Sequence, residues 1–500
     1  MTSEPRGPRE TDQPRSVQDY IDEMPVWQDG TPTGFSPMTV MQWRIWILAT
    51  AGKFFEGMVV FMTGVALPLM AHEFNLEPAE KGLAGAASLF GILVGALVLG
   101  GLADSLGRKR MFIAEIVLLV LFLLGLTFAG DFWMVVLFLF GIGVALGCDY
   151  PTAHAMISES IPSRQRGQLV LGAFAFQAVG ALTGTVVGYL VLVTVQDVSA
   201  WRWMYAVAIL PAMAVIAGRF FIPESSHWLM TRDRRQAAET ALARLLAREP
   251  RYPQRIRLSD PRPAGPESQS PETGYRALLR GRNRRATLFA SVPWFLQDLG
   301  TYGIGIFTPT ILATLIGVEA QAHNISGLIH NDIQAAKGAA FLDLLLIVGI
   351  AFAVFLSDRF GRIRLQVIGF FGCALGLGLA AASAGFSGAT ATVLIFAGFM
   401  LFNFMTNLGP NAQTYLIAGE VFPTHLRGKG AGLAAAIGKV GAVITAFLFP
   451  VLLHMIGTTW LLGLLVGTSL LGAWVTWKFR IETRGVNLEQ MGETTQGASP

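Results

Sequence analysis

The stretch ESIPSRQRG, residues 159–167, returns as EVFPTHLRG at 420–428, with Glu-x2-Pro-x3-Arg-Gly held in both. The offset is 261 residues. Two other strings also occur twice. ADSLGRKR (103–110) and SDRFGRIR (357–364) share Asp-x2-Gly-Arg at an offset of 254, and GVALP (64–68) and GIFTP (305–309) share Gly-x3-Pro at 241. Three matches in the same order describe one unit used twice. What the unit is follows from the sequence around it.

The chain has 500 residues, 53% of them hydrophobic and only 14% charged, with a mean hydropathy of +0.52. A water-soluble chain carries about 25% charged residues. Apolar runs of about 20 residues recur, and a helix of that length crosses the roughly 30 Å of hydrocarbon in a bilayer. Twelve spans are predicted, near 44–71, 83–103, 111–129, 133–157, 167–194, 202–222, 286–316, 337–357, 365–384, 391–417, 430–456 and 459–479. The expected fold is an all-α membrane protein, with twelve transmembrane helices in two six-helix pseudo-repeats. Two related halves with a site between them are the pattern of a transporter.

The expected organisation is a disordered cytoplasmic tail (1–40), an N-terminal six-helix half (41–222), a cytoplasmic linker (223–285), a C-terminal half (286–480) and a second cytoplasmic tail (481–500). Residues 1–40 are polar and lack the apolar region of a signal peptide. In the linker, DRRQAAETALARLLARE (233–249) reads as a surface helix with Leu242, Leu245 and Leu246 on one side. The Pro-rich 250–274 reads as flexible.

The net charge is +4, and its placement matters more than its size. Lys and Arg cluster in alternate connections: 107–110, 164–167, 231–285, 358–364, 427–429 and 478–480. The positive-inside rule then places both termini in the cytoplasm of a multi-pass protein of the cell membrane. Nucleic-acid binding is excluded, because the basic residues edge spans rather than form one face. Cys148 and Cys373 fall inside spans and read as two buried thiols.

The repeated motifs carry their own physics. Asp104 follows an apolar span and precedes Gly107 and Arg108. A carboxylate at a helix end can accept backbone N–H bonds from a neighbouring helix start and pair with Arg. Asp358 and Arg362 repeat the arrangement. Glu159 and Arg166, and likewise Glu420 and Arg427, lie on either side of a Pro turn. The expectation is a cytoplasmic latch of ion pairs, closed in one transport state and open in the other. The plainer alternative is a set of topology-setting charges, which would not need carboxylates at matching places.

An ionised group at mid-membrane costs about 2.5–3.5 kcal/mol on insertion scales. Here Glu56 lies in span 1, Asp149 in span 4, Asp298 in span 7 and Lys439 in span 11. Lys53 is one turn before Glu56. Glu115 is one turn into span 3, where snorkelling to the surface is expected. In span 7, Trp294, Asp298 and Tyr302 stand at i, i+4 and i+8 and share one helix face. Span 5 adds Gln177, and span 10 adds Asn403, Asn407 and Asn411 at the same spacing. Interhelical hydrogen bonds, worth roughly 0.6 kcal/mol each, explain an isolated Asn or Gln. They do not explain two one-sided polar faces together with acids in spans 1, 4 and 7. Asp149 reads as a protonation site, since a protonated Asp can cross between access states without its charge. GLAAAIGKVG (432–441) brings a phosphate loop to mind, but the spacing is wrong and no strand precedes it. His154, His227 and His454 show no ligand spacing. No metal or cofactor is expected, and with no nucleophile–base pair or metal cluster the chain does not read as an enzyme.

GGLADSLGRKR (100–110) resembles the signature between helices 2 and 3 of the major facilitator superfamily. PESSHWL (223–229) and ETRGVNLE (482–489) resemble the ends of helices 6 and 12 in its sugar-porter-like branch. Gly-x-Asp-Tyr-Pro in span 4, Gln in span 5, Trp-x3-Asp-x3-Tyr-Gly in span 7, Gly-Pro-Asn in span 10 and Gly-Lys in span 11 resemble the phosphate:proton symporters. The matching positions are Asp149, Tyr150, Gln177, Trp294, Asp298, Tyr302, Asn411 and Lys439. The resemblance implies that the Tyr, Gln, Trp, Asp and Asn line an anion site while acids carry protons. The departure is in span 1, where that family shows Tyr-Asp and this chain has FFEGMVVF (54–61), with Glu56 as the nearby acid. Related bacterial carriers of sugars, niacin-like and aromatic acids share much of this frame.

The expectation is a secondary active transporter, working by alternating access as a proton-coupled symporter of a small solute, with phosphate or a small organic anion favoured. Substrate binding falls to Tyr150, Gln177, Trp294, Asp298, Tyr302, Asn411 and Lys439, and proton coupling to Glu56, Asp149 and Asp298. The partners are the solute, protons and the bilayer, and the chain is expected to be a monomer. The alternatives are uniport, a sugar, polyol or aromatic-acid carrier, and a non-transporting membrane sensor on the same scaffold.

Overall fold

The computed structural model describes residues 14–23, 38–99, 102–247, 256–259, 275–315, 325–422 and 426–481. The side chains at 104, 150, 282, 313–315, 358, 427 and 428 are not among those described. The expected roles of Asp104, Tyr150, Asp358 and Arg427, the interior of the linker and the ETRGVNLE tail therefore lie outside the described residues.

Among the described residues, twelve membrane helices follow one another. They are α1 (Val40–Glu73), α2 (Pro78–Val94, extended by the π-turn Gly95–Leu99), α3 (Arg108–Thr127), α4 (Phe132–Ser160), α5 (Ser163–Thr194) and α6 (Ala200–Phe220). The second half holds α7 (Gly281–Leu315), α8 (Ile325–Phe360), α9 (Arg362–Ala382) and α10 (Gly388–Leu408). A break at Gly409 separates α10 from its continuation, Pro410–Glu420. The helical stretch Arg427–Phe479 contains both α11 (427–456) and α12 (458–479), divided at Gly457, whose φ of 77° and ψ of 168° no helix continues through. Helix starts carry local signals. Thr39 and Gln42 form a capping box on α1, Pro78 occupies the first turn of α2, and the Asp131 side chain accepts from the Met134 N–H on α4.

Two expectations need correction. α8 begins at Ile325 rather than near 337, because HNDIQAAKG (330–338) lowers the local hydropathy although Asp332, Ala335 and Ala336 are buried. Residues 14–23, expected within a disordered tail, instead form the capped helix Val17–Asp22, with Val17, Tyr20 and Ile21 buried. Asp22 accepts from the Ser163 N–H at 2.7 Å, and Arg15 pairs with the linker through Ser259 N–H at 2.9 Å. The signal was Ser16-x-x-Asp19, a capping box ahead of an apolar face. The surface helix of the linker is present as Arg235–Leu245, and Leu242, Leu245 and Leu246 are all buried.

The repeat is visible in geometry. Gly107 and Gly361, at matching places, both take positive φ, 106° and 89°, in turns that L side chains rarely adopt. The Arg after each glycine pairs with the Glu of the second motif: Arg108 with Glu159 at 3.1 Å, Arg362 with Glu420 at 2.8 Å. The halves meet closely toward the ends of the helices far from the chain termini. There Gly64 of α1 lies against the Ile306 carbonyl of α7, and Gly82 of α2 against the Phe447 carbonyl of α11, so close that a Cβ at either would overlap backbone. Small residues permit this approach, which dispersion rather than the hydrophobic effect must reward inside a bilayer. At the terminal end the halves touch through Phe174 and Tyr415, stacked at 4.7 Å.

Candidate functional site

Midway along the bundle, α1 turns Lys53 and Glu56 toward the second half. Lys53 Nζ lies 2.6 Å from Glu56 Oε2. The other carboxylate oxygen is met from the opposite half by Lys439 of α11, at 2.7 Å, and by Tyr302 of α7, whose hydroxyl donates at 2.9 Å. Lys439 also bonds the Tyr302 hydroxyl. Gln177 of α5 donates to Tyr302 Oη at 2.9 Å and faces Glu56 at 3.3 Å. Five residues from four helices thus share one network across the interface. A lone ammonium or carboxylate at this depth carries the insertion cost given above; here each charge has an opposite partner. Lys53 and Lys439 remain 15% and 14% exposed, so both still reach open space.

The three residues at i, i+4 and i+8 on α7 differ in their surroundings. Tyr302 joins the network. Asp298 is 1% exposed, and its Oδ2 has no hydrogen-bond partner among the described residues. Trp294 packs against Gly438, next to Lys439, and meets the Tyr415 ring edge-on at 6.3 Å. Phe174, Tyr415 and Trp294 form an aromatic wall on the terminal side, and Lys53 stands 5.5 Å from the centre of the Phe174 ring. The three asparagines of α10 and its continuation differ in their partners. Asn403 and Asn407 donate to the carbonyls of Leu342 and Leu346 of α8, at 3.0 and 2.9 Å, which is interhelical glue. Asn411, just past the break at Gly409, donates to Asn407 at 2.7 Å and accepts from Gln297 at 3.1 Å, so it links α10 to α7.

Asp149 is not in this network. It belongs to a second cluster buried in the first half. Arg219 of α6, fully buried, binds Asp149 at 2.6 Å and Glu115 at 2.9 Å. It also donates to the carbonyls of Phe112 and Leu48. The expectation that Glu115 snorkels is overturned: it is 1% exposed. Gly52 of α1 makes room, since a Cβ there would collide with the Asp149 carboxylate. The pair Asp149–Arg219 is separated by 70 residues, so no local period announces it. Arg219 lies in the last turn of α6 and is not among the candidate residues read from the sequence. Asp343 was also passed over, though it lies within predicted span 8. It is buried and meets Thr185 of the other half at 2.7 Å.

At the terminal end, Glu159 is shared. It pairs with Arg108 and also accepts from the Ser225 hydroxyl. Glu224 accepts from the Lys109 backbone N–H at 2.9 Å. The PESS turn therefore adds to the Arg108–Glu159 ion pair and the start of α3, contacts the motif spacing did not give it. Arg166 does not pair with Glu159. It donates to Gln18 of the N-terminal helix at 3.2 Å. Burial pushes the nearby His227 imidazole below its usual range.

Comparison with known proteins agrees with this architecture. The family described as Sugar (and other) transporter matches residues 45–494. The chain is 29% identical to the "Putative metabolite transport protein YaaU" of Escherichia coli, covering 90% of this chain and 95% of that one. It is 28% identical to the "Probable inorganic phosphate transporter 1-12" of Oryza sativa, covering 89% and 90%. Among solved structures, the xylose transporter XylE of E. coli in a partially occluded inward open conformation superposes with a TM-score of 0.69 at 20% identity, covering 88% of this chain and all of that one. That likeness shows the fold.

Proposed function

We propose that this chain, which belongs to the Sugar (and other) transporter family of the major facilitator superfamily, is a proton-coupled symporter of a small anion. Transport of small molecules across a membrane is the family's work; the coupling and the substrate class are our reading. The observation that carries it is the convergence of Lys53 and Lys439, from opposite halves, on the Glu56 carboxylate. Without substrate, Glu56 satisfies both ammonium groups. A substrate carboxylate or phosphate has the same charge and oxygens, and can take Lys439 from Glu56 while Tyr302 and Gln177 donate to it. Binding then exchanges one charged partner for another inside the membrane, so no cation is left bare.

Asp298 supplies the coupling. An ionised carboxylate beside the site repels an anion, and a protonated one does not, so anion and proton enter together. Asp149 and Glu115 offer a second place for a proton, because two carboxylates face one guanidinium. The wall of Phe174, Trp294 and Tyr415 suits a substrate with an apolar or ring-bearing body, which favours an organic anion over phosphate. The second reading, a neutral sugar, draws on the amides of Gln177, Gln297 and Asn411, which bond sugar hydroxyls equally well. The ion pairs Arg108–Glu159 and Arg362–Glu420 serve as the latch, at the end we assign to the cytoplasm. Uptake into proteoliposomes tests the whole: labelled phosphate, an aromatic carboxylate and xylose, each with and without an inward pH gradient. Gradient-driven accumulation of one anion is expected. Accumulation of xylose alone would replace the anion reading, and no counterflow of any solute would favour a sensor.

A further inference from the structure

At the terminal end of the second half a cavity of about 510 Å³ opens between the first turns of α7 and α9 and the last turns of α12. It is lined by Arg285, Ile363, Trp474, Trp477, Lys478 and Arg480, none of which belongs to the central network. Arg285 donates to the Arg480 carbonyl at 2.9 Å, tying α7 to the end of α12. The Lys478 ammonium stands 4.6 Å from the Trp474 ring centre, and the Arg480 guanidinium 4.1 Å from that of Trp477. Three cations line the cavity and no carboxylate does; among the described residues none forms an ion pair with them. All three residues are exposed, so their charges face outward where an anion from the surroundings can reach them.

The surroundings say where that anion comes from. Leu470, Leu471, Trp474 and Trp477 are all exposed on α12, an apolar strip that leads along the helix into the cavity. Indoles at a span end mark the depth of the headgroups, and basic pockets between spans at such an end hold acidic headgroups. We propose that this cavity binds the phosphate of an anionic phospholipid from the leaflet facing the two chain termini, with its acyl chains along the exposed strip of α12. The lipid bridges the start of α7 to the end of α12.

Native mass spectrometry of the full-length protein, released from micelles doped with phosphatidylglycerol or phosphatidylcholine of equal chain length, tests this. The parent should retain phosphatidylglycerol well beyond phosphatidylcholine. Retention should fall about five-fold for each cation removed in Lys478→Gln and Arg480→Gln, and return in the charge-keeping pair Lys478→Arg, Arg480→Lys. Raising salt should weaken retention of the acidic lipid alone, a comparison that needs no variant to fold. Equal retention of the two lipids by the parent would overturn the proposal, as would a neutralised protein that keeps its phosphatidylglycerol. Glycerol phosphate retained as well as the lipid would make the cavity a soluble-anion site and overturn the lipid assignment.

Discussion

Asp298 and Arg219 are the two side chains whose removal separates chemistry from architecture. Asp298 carries a buried oxygen with no partner among the described residues, so neutralising it breaks no described bond at that atom. With an anionic substrate, Asp298→Asn should retain binding in equilibrium dialysis and lose gradient-driven accumulation. With a sugar, the same change should weaken binding itself, by roughly 1.5–3 kcal/mol for a hydrogen bond to a charged group. Gln177→Ala should weaken binding in either case, since its amide bonds the Tyr302 hydroxyl directly; if both variants bind and accumulate like the parent, the face of α7 is not the site. Arg219 behaves differently. Removing it leaves Asp149 and Glu115 buried without a cation. Arg219→Met should cost about 3–5 kcal/mol of stability, read as thermal unfolding of the purified protein. Adding Glu115→Gln and Asp149→Asn should recover most of that loss. A triple variant as unstable as the single one would mean that Arg219 acts by packing against the Phe112 ring rather than by charge.

Between the helices, the same turn is built twice. Gly107 and Gly361 take backbone angles that cost a side chain about 1–3 kcal/mol. Each delivers its arginine to a glutamate at the end of another helix, Glu159 or Glu420. Glu159→Gln and Glu420→Gln should each lower transport several-fold with membrane insertion intact, and the exchange Arg108→Glu with Glu159→Arg should restore part of it. Wild-type transport in both glutamine variants would reduce these pairs to topology signals. This device was legible in the sequence because it needs fixed residue types at fixed spacings: a glycine for the angle, an arginine beside it, a glutamate before a proline turn. What the spacing could not say is which partner each charge finds. Arg166 stands close in sequence to Glu159 yet reaches Gln18, and Ser225 arrives from 66 residues away. The Arg219 cluster stayed hidden for the same reason. Its three members lie on three helices, and nothing periodic links them.

At the scale of the whole molecule, twelve spans and two halves could be read from hydropathy and repeats, because a bilayer forces every backbone polar group into a helix. Which side of the bundle is closed could not, because closure is a property of contacts between the halves. Those contacts place the central network between the close glycine contacts of the far side and the ring pair Phe174–Tyr415. A carrier coupled to protons must pass the network between the two sides, so an uncoupler should stop accumulation while exchange of substrate across the membrane continues. Accumulation undiminished by the uncoupler would point to another ion. The far side itself makes the sharpest demand. Gly64 faces the Ile306 carbonyl and Gly82 the Phe447 carbonyl at distances that leave no room for a Cβ. A valine at either position forces the helices apart, and overpacking of this kind costs about 1–3 kcal/mol. That cost falls on the state closed at the far side and spares the state open there, so the closed population should drop by about 5- to 150-fold. Gly64→Val should therefore bind substrate and fail to deliver it. Gly378→Val, at a glycine with open space around it, should transport like the parent. Equal uptake by both variants would mean that the contact at Gly64 is not part of the transport cycle and that the far side closes elsewhere.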